Sequence, residues 1–354
     1  MISKTGDELD HIDITEMHAR LACGELSSIE FTQRCVDRIG KIDPELNAVS
    51  AIDHTALVQA ARSDQRHRHG ADLGALDGIP VLIEDDIDTA RLRAAGAVVL
   101  GRTAVGGPTH NPYRRDHRPW GSSAGSAVAV AAGFAPIALG TESDGSTVGQ
   151  AGVCGVVGVQ PEFGLVSSHG GGHVSPAGYP VGLFASRVRD AAMCLAALAE
   201  RPDLTSVAEP MERCRVGLWR YAAGPRRDVA ALLISVAEAL ADGGVEVVDI
   251  EPAVPDEIAG LSVLDDVLRD NDIRVIVAPA NEPALPIDYR TGVAGLPSSL
   301  PAVAGRADIS LPAGLVDGLP VGMSVFGPAT VAELLGVAVL IERSLGPRPW
   351  PDLV

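Results

Sequence analysis

Residues 121–164 read GSSAGSAVAVAAGFAPIALGTESDGSTVGQAGVCGVVGVQPEFG. A Ser-Ser pair between glycines opens the stretch, a run of small, mostly apolar residues fills 127–138, and a second Gly- and Ser-rich turn, GTESDGST, occupies 140–147. Small side chains allow a helix over 127–138 to press flat against a sheet, and glycines supply backbone shapes that other residues resist. Two serine-bearing turns are thereby expected at the two ends of one rigid buried element. Tight turns of this kind present nucleophilic serines, with backbone N–H groups aimed at a developing oxyanion. A single Gly/Ser loop would more simply be a loop without chemistry.

The paired turns resemble the amidase signature family. Its pattern runs GGSSGGS, then an Ala-rich helix, then GTDxGGSxRxPAxxCGxxGxKPTxG, and residues 120–126, 140–146, 154–155 and 158–164 fall in register with it. The resemblance implies an α/β fold built on a mixed, twisted sheet flanked by helices, in one domain over 1–354. It places Ser146 at the acyl-forming nucleophile and Ser122 at the serine that carries a proton between nucleophile and base, beside an unusual cis peptide. The separation of these two serines, 24 residues, is the one the family pattern requires. The backbone of Ser143, Asp144, Gly145 and Ser146 would line the oxyanion hole, with Ser123 and Glu142 close to the substrate.

Outward from this core, GIPVLIEDD at 78–86 reads as a turn, an apolar strand and an acidic cluster. In the family this strand carries a lysine, the neutral base of a Ser-Ser-Lys relay. Here that position is Glu84, and the only lysines, Lys4 and Lys41, lie in no matching motif. Further departures replace the family's Asp by Glu142, a Gly by Asp144, an Arg by Val148 and a Pro by Gln150. A carboxylate in an apolar pocket can have its pKa raised enough to act as a base near neutral pH.

Three readings stay open. The first is an amidase-like enzyme acting on an amide or related carbonyl small molecule through Ser146, with Ser122 and Glu84 assisting. The second is a repurposed isomerase, cyclase or lyase using the acidic cluster Glu84, Glu142 and Asp144, since like charges held together push their pKa values apart. The third is a catalytically silent homologue. Each site residue also has a plain structural reading: Glu84 paired with an arginine, the serines kept because only small hydroxyl residues fit the turns.

The remaining chain adds scaffold. A helix is expected over 26–42, with Ser27 and Glu30 at capping-box spacing, Ile29, Val36 and Ile39 on its apolar face, and Asp43-Pro44 as its end. Helices are expected over 186–198, 228–242 and 331–345, and strands over 215–219, 245–250 and 274–279, while 308–325 resembles the family's closing pair of strands. Strand, helix and strand over 215–250 predict a parallel βαβ unit. Compared with the family, the chain is shortened around 90–92 and 255–271, both near the substrate entrance. The basic run Arg114, Arg115, His117 and Arg118 reads as a solvated loop. His169 and His173 lie four apart around three glycines, which forbids the helix that would make them a metal pair.

Composition narrows the partners. With 46 acidic and 28 basic residues the net charge is −18, which argues against nucleic acid or an anionic membrane as partner and leaves a small-molecule substrate. No apolar run reaches the ~20 residues of a membrane helix, and the first 20 residues are acidic without an apolar segment. Five scattered cysteines without CxxC spacing fit a reduced, cytoplasmic protein without structural zinc. No cofactor or metal is implied, and a homodimer covering the shortened entrance is left open.

Overall fold

The computed structural model describes residues 12–85, 87–142, 145–166, 181–206, 215–250, 257–288 and 299–353. Helix α1 (Ile14–Cys23) leads into α2 (Ser28–Leu46), strand β1 (Val49–Ile52) and α3 (Ala56–Arg68). The expected capping box starts α2: Ser27 accepts the Glu30 N–H while Glu30 reaches back to the Ser27 N–H. Two details differ from the sequence expectation. The helix runs through Pro44 to Leu46, because a proline in the last turn forfeits only one hydrogen bond, and Asn47 in the left-handed region then closes it. Its buried stripe is Phe31, Cys35, Ile39, Ile42 and Leu46, whereas Ile29 is exposed; the bulkier Phe31 sets which face turns inward.

The site-bearing half follows. Strand β2 (Pro80–Ile83), the short α4 (Ala90–Ala94) and β3 (Val98–Thr103) lead to α5 (Ala124–Ala131), β4 (Ile137–Thr141), α6 (Ser146–Cys154) and β5 (Val157–Gln160). The small-residue run is thus not one helix. It breaks at Gly133, whose φ of 71° reverses the chain, and continues as β4. An even apolar run cannot report this division, since a buried helix and a buried strand are equally apolar.

Strand β6 (Val181–Ala185) and α7 (Val188–Ala199) precede the predicted βαβ unit, found as β7 (Arg215–Trp219), α8 (Arg227–Asp242) and β8 (Glu246–Ile250), with β7 and β8 parallel. After α9 (Glu257–Asp270), β9 (Val275–Pro279) and α10 (Ser299–Val303) come the closing hairpin strands β10 (Asp308–Val316) and β11 (Leu319–Phe326), then α11 (Val331–Leu345).

Among the described residues eleven strands form one mixed sheet in the order β1-β3-β2-β4-β6-β5-β10-β11-β9-β7-β8. The centre is covered on its apolar positions: every residue of β2, β5, β6, β9 and β11 is buried. Strands β2 and β4 run parallel side by side, so the residues that follow each of them, Glu84 and Glu142, emerge at the same edge of the sheet. Near the end of the chain Arg348 donates to the Val130 carbonyl at 3.3 Å and the Gly155 carbonyl at 3.2 Å. One guanidinium therefore ties together the C-terminal ends of α5 and α6, and it stacks on Trp350 at 3.3 Å.

Candidate active site

Helix α6 starts at Ser146, and Gly145 before it has a φ of 90°, a conformation that disfavours any residue with a Cβ. This turn points the Ser146 hydroxyl back at the end of β4, where it donates to the Thr141 carbonyl at 3.3 Å. Ser123, at the start of α5, donates to the same carbonyl at 3.1 Å. Thr141 O is thus the meeting point of the two serine turns. The Gly121–Ser122 peptide is cis, at the place the family resemblance implies. Ser122 is half-buried, its carbonyl accepting the Gly106 N–H at 3.1 Å.

Glu84 stands just past β2, fully buried. Its Oε2 accepts the Thr141 N–H at 3.0 Å and the Thr141 hydroxyl at 2.9 Å. Arg102 does not pair with this carboxylate; it donates to the Glu84 carbonyl at 2.7 Å and the Asp85 carbonyl at 3.2 Å, fixing the backbone of the acidic turn. Gly140 lets these parts meet: a Cβ there would sit 2.7 Å from Ser123 Oγ and 3.0 Å from Glu84 Oε1. Among the described residues, the Ser122 hydroxyl makes no hydrogen bond to Ser146 or Glu84.

Glu142 is also buried, 2% exposed, and it lies against the nucleophile turn. Its Oε1 accepts the N–H groups of Gly145 at 2.7 Å and Ser146 at 2.8 Å, and the Ser146 hydroxyl at 3.4 Å. Its Oε2 accepts the Thr147 N–H at 2.6 Å. Two amides expected to face an oxyanion are therefore turned to a carboxylate that belongs to the protein. Burial raises the Glu142 pKa above the usual carboxylate range, although the three N–H groups pull it down. Ser143 and Asp144 lie outside the described residues, as does the His169 to His173 loop.

Sequence reasoning missed two members. Thr141 lies inside the quoted turn, but only the fold reveals that its carbonyl collects both serines. Asp308 opens β10 and is fully buried, with Oδ1 accepting the Ser324 hydroxyl at 2.6 Å. Burial first, then the nearby Glu142 charge, push its pKa up to about 8. An acid at the head of an apolar strand was its only signal. The basic run is engaged locally: Arg115 donates to the Pro112 carbonyl at 2.6 Å and Arg118 to the Ile287 carbonyl at 2.6 Å. No disulfide joins the four cysteines among the described residues. Among the same residues no helix is long and apolar enough to cross a membrane.

The profile of the Amidase family matches residues 30–100 and 89–273. The chain belongs to the amidase signature family. Among its relatives, a glutamyl-tRNA(Gln) amidotransferase subunit of Roseiflexus sp. (strain RS-1) is 30% identical over 387 aligned positions, covering 98% of this chain and 72% of that protein. The corresponding protein of Endomicrobium trichonymphae is 32% identical over 231 positions, 54% of this chain and 48% of that protein. Against the latter the chain spans about half the relative's length. Of solved structures, the peptide amidase of Stenotrophomonas maltophilia superposes with a TM-score of 0.84 at 28% identity over 99% of both chains. The peptide amidase PAM in complex with the competitive inhibitor chymostatin gives 0.85 at the same identity and coverage. The amidase fold is thus present across the chain.

Proposed function

We propose that this amidase-family chain is a hydrolase of an amide or related carbonyl small molecule, working through an acyl-enzyme at Ser146 with Ser122 and Glu84 assisting. The observation that carries the reading is the presentation of Ser146: a hydroxyl at the first position of a helix, on a left-handed glycine, within a turn locked by hydrogen bonds on both sides. A helix N-terminus stabilises negative charge that develops beside it, which is the demand of acyl transfer. The likeness to peptide amidases supports an amide as substrate. The amidotransferase relatives are named for glutamyl-tRNA(Gln), but a net charge of −18 favours a small molecule over a nucleic acid here.

Intact-protein mass spectrometry after exposure to a fluorophosphonate tests the reading without a known substrate. A single adduct is expected on the native chain and none on Ser146→Ala. Absence of any adduct on the folded native chain overturns the reading.

A further inference from the structure

The family's lysine is replaced by Glu84, so the proton of Ser146 needs another destination. Two buried carboxylates flank the nucleophile turn, and they are placed differently. Glu84 grips Thr141 through its N–H and hydroxyl, and Thr141 in turn receives the Ser146 hydroxyl on its carbonyl. Glu84 thus acts on Ser146 through another residue. Glu142 reaches the Ser146 hydroxyl itself, with Oε1 3.4 Å from Oγ.

We propose that Glu142 is the catalytic proton acceptor for Ser146, while Glu84 is a positioning residue that holds the Thr141 carbonyl under the two serine turns. The proposal rests on Ser146 being the nucleophile and specifies how its proton moves. As Oγ bonds to the substrate carbonyl carbon, the carbonyl π pair moves onto oxygen and the hydroxyl proton moves to Glu142 Oε1. The same proton passes to the leaving nitrogen as the C–N bond breaks, leaving acyl-Ser146. Water then attacks the ester, gives its proton to Glu142, and Ser146 leaves with that proton restored.

The N–H groups on Oε1 fit this sequence. Before reaction the helix N-terminus holds one negative charge, the Glu142 carboxylate, through the amides of Gly145, Ser146 and Thr147. Proton transfer neutralises Glu142 at the moment the oxyanion forms. The same amides are then released to the new charge a short distance away. The site keeps one negative charge throughout, so little reorganisation accompanies the step. Asp308 supports this arrangement from β10: with its pKa pushed up to about 8, it stays protonated at neutral pH and adds no second charge beside Glu142. Burial also keeps the proton affinity of Glu142 above that of an exposed carboxylate, as a base requires.

The test is the rate of fluorophosphonate labelling at pH 7, read as mass gain, for the native chain, Glu142→Gln, Glu84→Gln and Ser146→Ala. In this reaction Oγ bonds to phosphorus, fluoride leaves, and the proton must again go to a base. Gln at 142 keeps a carbonyl oxygen for the helix amides but cannot take the proton. Its labelling is expected to fall about 100-fold or more, the usual scale of general-base loss, with the melting temperature little changed. Glu84→Gln, which still has both an acceptor and a donor for Thr141, is expected to keep labelling within about ten-fold of native on the same scale. Two results overturn the proposal: Glu142→Gln labelling at the native rate, or Glu84→Gln losing labelling as completely as Ser146→Ala. Should Glu142→Gln melt early, Glu84→Gln decides alone: retained labelling supports the proposal and abolished labelling overturns it. A native chain that takes no label removes the nucleophile reading itself, and this proposal with it; a native chain that labels while the variants disobey removes only the proposal.

Discussion

The helix pair α5 and α6 has two ends of opposite electrical character, and the chain treats them in mirrored ways. At the N-terminal end of α6 a buried carboxylate, Glu142, accepts three backbone N–H groups. At the C-terminal ends of both helices a half-buried guanidinium, Arg348, donates to two carbonyls. Each charge complements the helix dipole, and each binds polar backbone groups at a helix end. A buried charge at a helix end is therefore no sign of chemistry by itself. The difference lies in what else is present. The carboxylate end holds Ser146 within reach of the charge, whereas the side chain at the other end of α6 is Cys154, a fully buried thiol whose pKa is raised by that burial. A reactive group plus a charge makes one end a candidate site; a charge alone makes the other a clamp.

Substitutions at each end put this contrast at risk, and the largest effect is expected at Asp308. The carboxyl has a folded pKa of about 8 against 3.8 for an ordinary aspartate. Below the lower value both folded and unfolded chains hold the proton, so nothing is gained or lost. Between the two values the unfolded chain ionises and the folded chain does not, so stability falls as pH rises, by about 1.4 kcal/mol per pH unit. Asp308→Asn removes this loss. Denaturant melts should show the variant gaining on the native chain by about 3 kcal/mol between pH 5 and 7. A difference that does not grow with pH would mean the carboxylate end already carries two charges.

A smaller effect is expected at the other end. Arg348→Ala takes a charged donor from two helix-end carbonyls, of which Val130 keeps the Gly133 N–H, a cost of about 2 kcal/mol, read as a lower denaturation midpoint. Labelling of Ser146 should be unchanged in the folded variant, because the clamp lies a helix length away from the hydroxyl. A slowed reaction at unchanged fold would erase the distinction between site and clamp. The smallest effect belongs to Thr141→Val, which loses the hydroxyl that Glu84 accepts, at about 1 kcal/mol. Since Thr141 O also receives Ser146 and Ser123, labelling should slow modestly as well, and stability alone moving would confine Glu84 to packing.

Much of this molecule was legible before folding. The capping box at Ser27 and Glu30 and the βαβ unit of β7, α8 and β8 were read from short-range pattern, which local hydrogen bonding and side-chain periodicity dictate, and the closing pair β10 and β11 from the family resemblance. The spacing of Ser122 and Ser146, and the glutamate after the apolar strand, were equally plain in the chain. What the pattern could not give was the break of the alanine-rich run at Gly133, because burial on all sides removes the periodicity that separates helix from strand. Nor could it give the exact face of α2, where the aromatic Phe31 is buried and the aliphatic Ile29 turned out.

The fold family, the two serine-bearing stretches and the glutamate that follows the apolar strand at 79–83 are written in the chain, since each is a matter of residue type and spacing along it. Which carboxylate touches Ser146 is not written there. Glu84 and Glu142 lie 58 residues apart in sequence and are brought to one edge by the parallel pairing of β2 and β4. Asp308 arrives from a strand on the far side of the sheet's centre. Their hydrogen bonds, and the burial that shifts their proton affinities, depend on distances across strands that no local pattern records.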